Sequence, residues 1–217
     1  MKILNLYAGI GGNRKHWGTE HEVVAVEMDP QIAQIYQNNF PNDKVVVCDA
    51  HKLLTVCWDM IKHFDFIWTS PPCPSHSVVN AFLNVQGCIR YPDMKLYEEI
   101  IFLKHFFKGR WVVENVRSYY EPMILPYEAE RHYFWSNFMI SNKKRSESIN
   151  ITNTSQDYRI DQDEHIKMLE EYHGFDLSQY KLPKRKRYKL LANCVKPKLG
   201  LYIFEQAFKE EQKTLSF

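Results

Sequence analysis

Cys73 lies in a stretch that combines a thiol with a stiff backbone. It follows Ser70, Pro71 and Pro72, precedes Pro74, and comes directly after a short apolar run that predicts a buried strand. Proline fixes φ and removes a backbone donor, so we expect a rigid loop. A thiol in such a loop, at the carboxyl end of a strand where open α/β sheets bind ligands, is well placed to act as a nucleophile.

Glu114 ends the next strand-like run and offers a carboxyl group at the same edge of a parallel sheet. Side chains that follow parallel strands meet at that edge, so Glu114 and Cys73 can face one substrate. A lone cysteine is more often a buried, unreactive core residue. Cys48, which ends an apolar run, fits that role better than Cys73 does. Cys73 and Glu114 are therefore the catalytic candidates.

A glycine cluster follows the first strand-like run. Tyr7, Ala8, Gly9, Gly11 and Gly12 fall where a strand would turn sharply into a helix. Glycine at such a turn lets the backbone approach a ligand that a Cβ would repel, although glycine turns also occur in α/β proteins without a nucleotide. Because the full GxGxxG pattern is not kept, an adenosine ligand smaller than a nicotinamide dinucleotide is favoured.

Two acids follow the next two strands. Glu27 ends the second strand-like run, where a carboxylate can accept hydrogen bonds from both ribose hydroxyls of an adenosine. Asp49 ends the third, within reach of an adenine amino group. Each acid taken singly is more often a solvated residue at a strand end. Two in succession beside a glycine turn indicate a nucleoside site.

The alternation of apolar runs with helix-like segments predicts an α/β fold in which helices cover a doubly wound, mostly parallel sheet. We predict a single domain, 1–217, with strands at 3–7, 22–27, 44–48, 64–68, 110–114 and 132–140. The predicted helices are 93–108, 162–172 and 197–211, and the polar segment 141–157 is predicted to be a loop. Asp93 is expected to cap the first of these helices and Gly109 to end it.

Composition narrows the class of protein. The chain is 45% hydrophobic and 25% charged, which is typical of a globular domain. Its five cysteines are odd in number and never lie two residues apart, so neither a disulfide framework, a zinc site nor any other metal site is expected, and the compartment is predicted to be reducing. No membrane span or signal peptide is expected.

The net charge of +2 is too small to indicate a nucleic-acid partner by itself. The positive charge is nevertheless concentrated in one short stretch that includes Lys184, Arg185, Lys186 and Arg187. Such runs are often only solvated. We expect phosphate contacts here because the stretch directly precedes another candidate site residue, Asn193.

Taken in order, these motifs resemble those of cytosine C5 methyltransferases. The glycine turn, the Pro-Pro-Cys loop and the triplet 114–116 occur in the family's sequence order. Residues 127–133 are similar to the family's Gln-x-Arg-x-Arg element, with Arg131 at its second arginine. Residues 170–175 resemble a helix that ends in Gly-Phe, and Asn193 and Val195 resemble the closing Asn-x-Val element. The resemblance covers nearly the whole chain.

The resemblance implies an S-adenosylmethionine-dependent methyltransferase fold and a covalent reaction on cytosine in DNA. Cys73 as thiolate would add to C6, Glu114 would hold N3 and the exocyclic amine, Arg131 would contact O2, and C5 would take the methyl group. A free thiol has a pKa of about 8.5, so Cys73 needs local activation at neutral pH. A duplex substrate would have to flip the base out of the helix.

The resemblance also assigns binding residues. The residues expected to bind S-adenosylmethionine are Tyr7, Ala8, Gly9, Gly11, Gly12, Glu27, Met28, Asp49, Ala50, Pro71, Asn193 and Val195. The residues expected to contact nucleic acid are Ser75, His76, Asn115, Lys184, Arg185, Lys186 and Arg187.

The sequence departs from the family pattern in three places. Pro74 replaces a glutamine, and Tyr127 and Ala129 replace the glutamine and the first arginine of the arginine element. Residues 136–162 have room only for a short loop or hairpin in place of a target-recognition domain. The protein alone is therefore expected to recognise only a short or degenerate site, unless a partner protein docks, for example on the apolar last helix.

Compact members of this kind resemble enzymes of phages and restriction-modification systems, which implies a cytoplasmic location in a bacterial or phage-infected cell. Three alternatives remain. The first is a tRNA or other RNA cytosine C5 methyltransferase. The second is an amino methyltransferase, since Ser70, Pro71 and Pro72 also open the Ser-Pro-Pro-aromatic loop of that class, although Glu114 and Asn115 have no role there. The third is a weakened, non-catalytic nucleic-acid-binding homologue.

Overall fold

The computed structural model describes residues 1–143 and 161–209. In these residues the strands are β1 (Lys2–Leu6), β2 (Glu22–Glu27), β3 (Lys44–Val47), β4 (Phe66–Thr69), β5 (Arg110–Val116), β6 (Tyr127–Ala129) and β7 (His132–Ser136). The helices are α1 (Pro30–Asn39), α2 (Ala50–Val56), α3 (Trp58–Ile61), α4 (Val79–Val85), α5 (Lys95–Phe106), α6 (Gln162–His173), α7 (Lys184–Ala192) and α8 (Pro197–Phe208).

One sheet organises the molecule, with the strand order β3-β2-β1-β4-β5-β7-β6. Strands β1 to β5 pair in parallel, whereas β7 runs antiparallel to both β5 and β6. The predicted α/β fold with a mostly parallel sheet is therefore confirmed. The order reverses between β1 and β4, and ligands of such sheets bind beyond the carboxyl ends of the strands at this switch point.

Side chains of β4 alternate between the two faces of the sheet. Phe66 and Trp68 pack with α8 residues on one face, while Ile67 packs with residues of α2 and α5 on the other. Successive side chains of a strand point to opposite faces of the sheet. Because both faces are covered here, the strand has to be apolar throughout. The apolar side of α8 is therefore internal, since Ile203 and Phe204 are buried in the first cluster. The sequence predicts that a partner protein can dock on the apolar face of this helix. That prediction is wrong for Ile203 and Phe204, because both are already buried inside the protein.

The predicted strands lie where expected, with shifted ends. The range of β2 matches the prediction, but β7 ends at Ser136 rather than at residue 140. The next residue, Asn137, instead donates from Nδ2 to the Gly109 carbonyl over 2.8 Å. The short strand β6 was not predicted, nor was α7 in the basic stretch.

The helix α5 spans Lys95–Phe106, inside the predicted 93–108. Its N-cap is Met94 rather than the expected Asp93. Asp93 still lies close to the helix start, since its Oδ1 accepts the Lys95 amide proton over 3.1 Å. The helix ends before Gly109, because Phe107 already adopts an extended backbone conformation.

The segment predicted to replace a target-recognition domain is described only at its ends. Strand β7 contributes Ser136 and α6 begins at Gln162, and an isolated parallel bridge joins Ala129 to Lys143. Residues 144–160 lie outside the described residues, so the prediction of a loop or hairpin over 136–162 stays a prediction. Within the described residues, none of the helices is both long and apolar enough to cross a bilayer.

Candidate active site

Cys73, Glu114 and Arg131 line one cavity of about 450 Å³ at the carboxyl edge of the sheet. Cys73 lies in the loop after β4, Glu114 lies in β5, and Arg131 lies in the turn between β6 and β7. The three elements place the side chains together although the residues are far apart in the chain. The structure therefore brings together the three residues predicted to be catalytic.

A tight hairpin between β6 and β7 positions Arg131. Glu130 has a left-handed backbone with a φ of 54°, and its amide donates to the Lys143 carbonyl over 2.8 Å. Arg131 then reaches the end of α7, where its Nη2 donates to the Ala192 carbonyl over 3.3 Å. The guanidinium group thus joins the edge of the sheet to the helical layer around the cavity.

The thiol of Cys73 is largely buried. Burial raises the pKa of Cys73 and the neighbouring Glu114 carboxyl raises it further, whereas the positive charge of Arg131 lowers it. Arg131 therefore provides part of the predicted activation, but desolvation outweighs it in this conformation. A thiolate at Cys73 needs an additional change in surroundings, such as the entry of a substrate that alters the charge or solvation around the thiol.

Glu114 is almost fully buried, with an exposed fraction of 7%. Burial raises the pKa of Glu114 to about 7, against the opposing effects of a hydrogen bond from Ser70 and the charge of Arg131. Near neutral pH, a large fraction of the protein molecules therefore have a protonated Glu114 carboxyl group. A carboxyl group in that state can donate one hydrogen bond and accept another, which suits the edge of a nucleobase.

Asn115 braces the catalytic loop. Its Nδ2 donates to the Pro71 carbonyl over 3.0 Å, and its Oδ1 accepts the Val116 amide proton over 2.9 Å. Both ends of the amide are thus engaged inside the protein, where Asn115 is buried. Asn115 also lines the first cavity, so its predicted contact with nucleic acid stays a prediction.

His76 and Ser75 also stabilise the loop from within. His76 is only 1% exposed, and its Nδ1 lies 2.6 Å from the Tyr120 hydroxyl. The Ser75 hydroxyl accepts the Asp93 amide proton over 3.1 Å. In this conformation His76 is not available to a nucleic acid, and its burial is consistent with a lowered pKa caused mainly by desolvation.

A second cavity of about 310 Å³ adjoins the first. The two cavities share walls, which are Tyr7, Glu27, Ser70, Pro71 and Pro72. Residues predicted to bind the adenine and its ribose line the second cavity, and they are Glu27, Met28, Asp49 and Ala50. The arrangement suits an elongated ligand with one end in each cavity.

The shared wall holds a carboxylate in a fixed orientation. Glu27 accepts the amide protons of Gly9 and Asp29, each over 3.0 Å. Gly9 has a left-handed backbone with a φ of 55°, and a Cβ added there would meet no atom within 4 Å, so the backbone is open to the cavity. A preorganised carboxylate beside an open glycine backbone fits a ribose diol, so these residues fit the adenosine part of S-adenosylmethionine.

Asp49 has a structural role in addition to lining the second cavity. It is the N-cap of α2, and its Oδ1 accepts the Lys52 amide proton over 3.0 Å. Met28 is 68% exposed at the rim of the same cavity. Its apolar side chain is therefore available to cover one face of an adenine ring.

Gly12 brings the two ends of the chain together. A Cβ on Gly12 would lie 2.3 Å from both the Cys194 Sγ and the Val195 carbonyl oxygen, so only glycine allows this approach. Gly12, Asn193 and Val195 all line the first cavity. The structure thus joins the N-terminal and C-terminal motifs in one site, as predicted, while Gly11 packs against the Phe40 ring.

The basic stretch forms the first turn of α7 rather than an open run of charges. Lys186 donates from Nζ to Asp29 Oδ2 and to Gln31 Oε1, each over 2.8 Å, and Lys184 pairs with Asp163. Lys186 lines the first cavity together with Lys189, which belongs to the same basic stretch but was not among the four predicted phosphate contacts. Two of the four predicted phosphate contacts are therefore engaged in ion pairs within the protein.

Three polar residues of the site region were missed by sequence reasoning. His132 lies with its Nε2 3.7 Å from Glu114 Oε1, and Ser70 hydrogen-bonds to Glu114. Glu99 is a buried carboxyl on α5. A signal existed only for Glu99, because an acid on the apolar face of a helix predicts a buried polar partner. In the described part of the chain, no three His, Cys, Asp or Glu side chains cluster to hold a metal ion.

Two solved structures show the class of fold. The methyltransferase EhMeth from Entamoeba histolytica has a TM-score of 0.59 and 12% identity, with 96% of this chain and 98% of that chain covered. A mutant of DNMT2 from Spodoptera frugiperda has a TM-score of 0.60 and 16% identity, with 96% and 99% covered. The fold is that of the S-adenosylmethionine-dependent methyltransferases.

A family model described as C-5 cytosine-specific DNA methylase matches residues 1–122, which is more than half of the 217-residue chain. The chain therefore belongs to the family of C5 cytosine methyltransferases, and its cofactor is S-adenosylmethionine. A comparison with curated proteins finds no significant match. The matched range includes the glycine turn, Cys73 and Glu114 but ends before Arg131.

Proposed function

We propose that this protein transfers a methyl group to C5 of cytosine in DNA through a covalent adduct on Cys73. The observation that supports this most directly is the convergence of Cys73, Glu114 and Arg131, from three separate elements, on a cavity that shares walls with the cofactor site. The family to which the chain belongs supports the choice of cytosine and of C5.

In the proposed reaction the Cys73 thiolate adds to C6 of the ring and forms a carbon–sulfur bond, which makes C5 nucleophilic. S-adenosylmethionine supplies the methyl group from its sulfonium. The C5 proton then leaves to water, and the carbon–sulfur bond breaks to return the thiolate and the aromatic ring. This sequence needs no oxidant or reductant, and each bond that Cys73 makes is broken again.

The protein's other residues hold the ring during these steps. A protonated Glu114 donates to N3 and accepts from the exocyclic amine, which withdraws electron density from C6 and favours attack by the thiolate. Arg131 contacts O2 and places its positive charge near the Cys73 sulfur, where it favours the thiolate. Both groups line the cavity, and around the buried Glu114 such electrostatic effects are stronger than in water.

The substrate must deliver its base into this cavity. The lining of the cavity includes Lys186 and Lys189, which are proposed phosphate contacts, and a cytosine in a duplex has to leave the base stack to enter. Arg185 and Arg187 are proposed to add further contacts along the same helix. We further propose that sequence recognition by the chain alone is short or degenerate, and that a partner protein extends it.

The proposal is tested with purified protein and labelled S-adenosylmethionine, using duplex DNA in one reaction and tRNA in another. DNA is expected to accept the label, and bisulfite sequencing is expected to report the methylated cytosines. Substrate containing 5-fluorocytosine should form a covalent adduct that survives denaturation, because the C5 fluorine cannot leave as a proton does. If tRNA accepts the label and DNA does not, the substrate is RNA and not DNA.

The matched control for the nucleophile is the exposed Cys88. Cys73→Ala should lose methyl transfer and adduct formation while it keeps cofactor binding, and Cys88→Ala should behave like the wild type. Methyl transfer at the wild-type rate by Cys73→Ala would rule out the covalent mechanism. No transfer to either nucleic acid by a protein that binds the cofactor would favour the non-catalytic alternative.

A further inference from the structure

Glu99 is a deeply buried carboxyl that the proposed reaction does not use. It lies in α5 with an exposed fraction of 0%, and burial raises its pKa above the ordinary value despite several hydrogen bonds that lower it. A carboxyl group buried to this extent is costly unless partners compensate for lost hydration. The partners of Glu99 therefore indicate what its position stabilises.

Three side chains from three other parts of the chain contact Glu99. The Tyr7 hydroxyl donates to Oε1 over 2.5 Å, and the Thr69 hydroxyl donates to Oε2 over 2.7 Å. On the same side, His51 Nδ1 lies 3.1 Å from Oε1. Glu99 thus joins the end of β1, the end of β4 and the helix α2, which surround the cofactor site.

These partners form or support the walls of the two cavities. Tyr7 lines both cavities, and His51 lines the second. Thr69 ends β4 and directly precedes Ser70 at the base of the catalytic loop. Glu99 itself is absent from the linings of both cavities, so its effect on a ligand passes through these neighbours.

The backbone of Tyr7 supports the same view. Tyr7 has a φ of 55°, a left-handed conformation that a bulky residue keeps only when its surroundings enforce it. The hydrogen bond from its hydroxyl to Glu99 is one such constraint, because it fixes the far end of the ring. A Tyr7 ring released from Glu99 is free to change its position between the two cavities.

We propose that Glu99 is a positioning residue of the cofactor site, which holds Tyr7 and His51 in place as walls for the adenosine part of S-adenosylmethionine. Through Thr69 it also anchors the start of the loop that carries Cys73. The inference concerns only the cofactor site. It is therefore independent of whether DNA or RNA is the substrate and of whether Cys73 forms an adduct.

Calorimetric titration of the full-length protein with S-adenosylmethionine tests the proposal without an activity measurement. Glu99→Met removes both acceptors at similar side-chain length and is expected to weaken cofactor affinity about tenfold or more. Glu99→Gln is expected to stay within about threefold of the wild type, because an amide can accept from one hydroxyl and donate to the other. This rescue by the conservative variant separates hydrogen bonding from charge.

Asp43 provides a matched control for loss of stability. It is a buried carboxylate that accepts from Arg14 and from Tyr36, and it lines neither of the two cavities. Asp43→Asn should lower the melting temperature, yet its folded form should bind S-adenosylmethionine like the wild type. A loss of affinity in Glu99→Met beyond that in Asp43→Asn is the expected sign of a positioning role.

Two results would overturn the proposal. The first is wild-type cofactor affinity in folded Glu99→Met, and the second is a loss in Glu99→Gln as large as that in Glu99→Met. If Glu99→Met does not fold, Tyr7→Phe takes its place, since it removes only the hydroxyl that contacts Glu99. Affinity about threefold weaker is then expected, and unchanged affinity would contradict the proposal equally well.

Discussion

The carboxyl group of Glu114 and the imidazole ring of His132 are both buried, with Oε1 and Nε2 only 3.7 Å apart. They nevertheless do not form a strong ion pair at neutral pH. Burial, together with the charges of Arg131 and Arg117, lowers the pKa of His132 to about 3, so the imidazole is neutral. Burial also raises the pKa of Glu114 to about 7. The Glu114 carboxyl, which we propose to be catalytic, is therefore kept in a setting that disfavours its ionised form.

The first prediction follows from this cost of ionisation. Between pH 4.5 and about 7 the folded protein keeps the Glu114 proton that the unfolded chain has lost, so stability falls as pH rises through this window. Glu114→Gln removes the ionisable group. It should raise the free energy of unfolding at pH 8 by up to about 3 kcal/mol relative to wild type, and change it little at pH 4.

Denaturant unfolding at a series of pH values measures this effect. The control is Glu22→Gln, a substitution at an exposed glutamate. The control should show no pH-dependent gain. If Glu114→Gln and wild type differ in free energy of unfolding by the same amount at pH 4 and at pH 8, the Glu114 carboxyl group is not kept neutral in the folded protein.

The second prediction concerns the charge beside the thiol. Arg131 lowers the pKa of Cys73 while burial raises it above its ordinary value. Arg131→Gln should therefore shift the alkylation profile of Cys73 to higher pH and slow alkylation at any pH below the new midpoint. Reaction with iodoacetamide, followed by mass spectrometry of the Cys73 peptide, measures the profile, and the exposed Cys88 serves as an internal reference. An unchanged profile would show that the guanidinium does not act on the thiol.

The third prediction concerns the contact between the glycine turn and the C-terminal motif. Gly12→Ala places a Cβ 2.3 Å from the Val195 carbonyl oxygen and the Cys194 Sγ, so one of the two segments must move. We expect a loss of stability of roughly 1 to 3 kcal/mol and a marked loss of cofactor binding. Gly87→Ala is the control for cofactor binding. Its φ of 80° strains an alanine and should lower stability, but Gly87 lines neither cavity, so cofactor binding should be kept. If Gly12→Ala binds the cofactor as tightly as the wild type, the glycine turn does not contribute to the cofactor site.

The fourth prediction distinguishes the lysines of α7. Lys186 and Lys189 line the first cavity, whereas Lys184 pairs with Asp163 and does not. The double variant Lys186→Gln and Lys189→Gln should weaken DNA binding for all sequences alike. The salt-dependence slope should fall by about one to two, because each lost phosphate contact lowers it by about one and Lys186 has to leave its ion pair with Asp29 to make such a contact.

Binding measured over a range of salt concentrations tests this prediction, with Lys184→Gln as the matched single variant. The control variant should lower the slope by well under one, because Lys184 pairs with Asp163 and does not line the cavity. Equal slopes in the double variant and the wild type would mean that these lysines do not contact phosphates.

Much of this site was predictable from the sequence because it depends on local patterns. An apolar run such as that of β4 forms a strand buried on both faces, and the residues that follow it must emerge at the carboxyl edge. Cys73 and Glu114 were found by this rule, and Gly9 and Glu27 by the turn after β1 and the end of β2. Each of these inferences needs only the strand period and the direction of the chain.

The tertiary structure alone decided which side chains meet. Glu99 contacts Tyr7 across 92 positions of the chain, and nothing local to either residue indicates the other. The sequence predicts nucleic-acid contacts for Asn115 and Lys186, and the structure adds that each is hydrogen-bonded to a distant segment. Burial and pairing are properties of neighbours in space, and these neighbours set the pKa of Glu114, the fit of Gly12 and the accessibility of α8. The sequence determined the chemical groups and the edge of the sheet at which they emerge, whereas packing determined their partners and their charge.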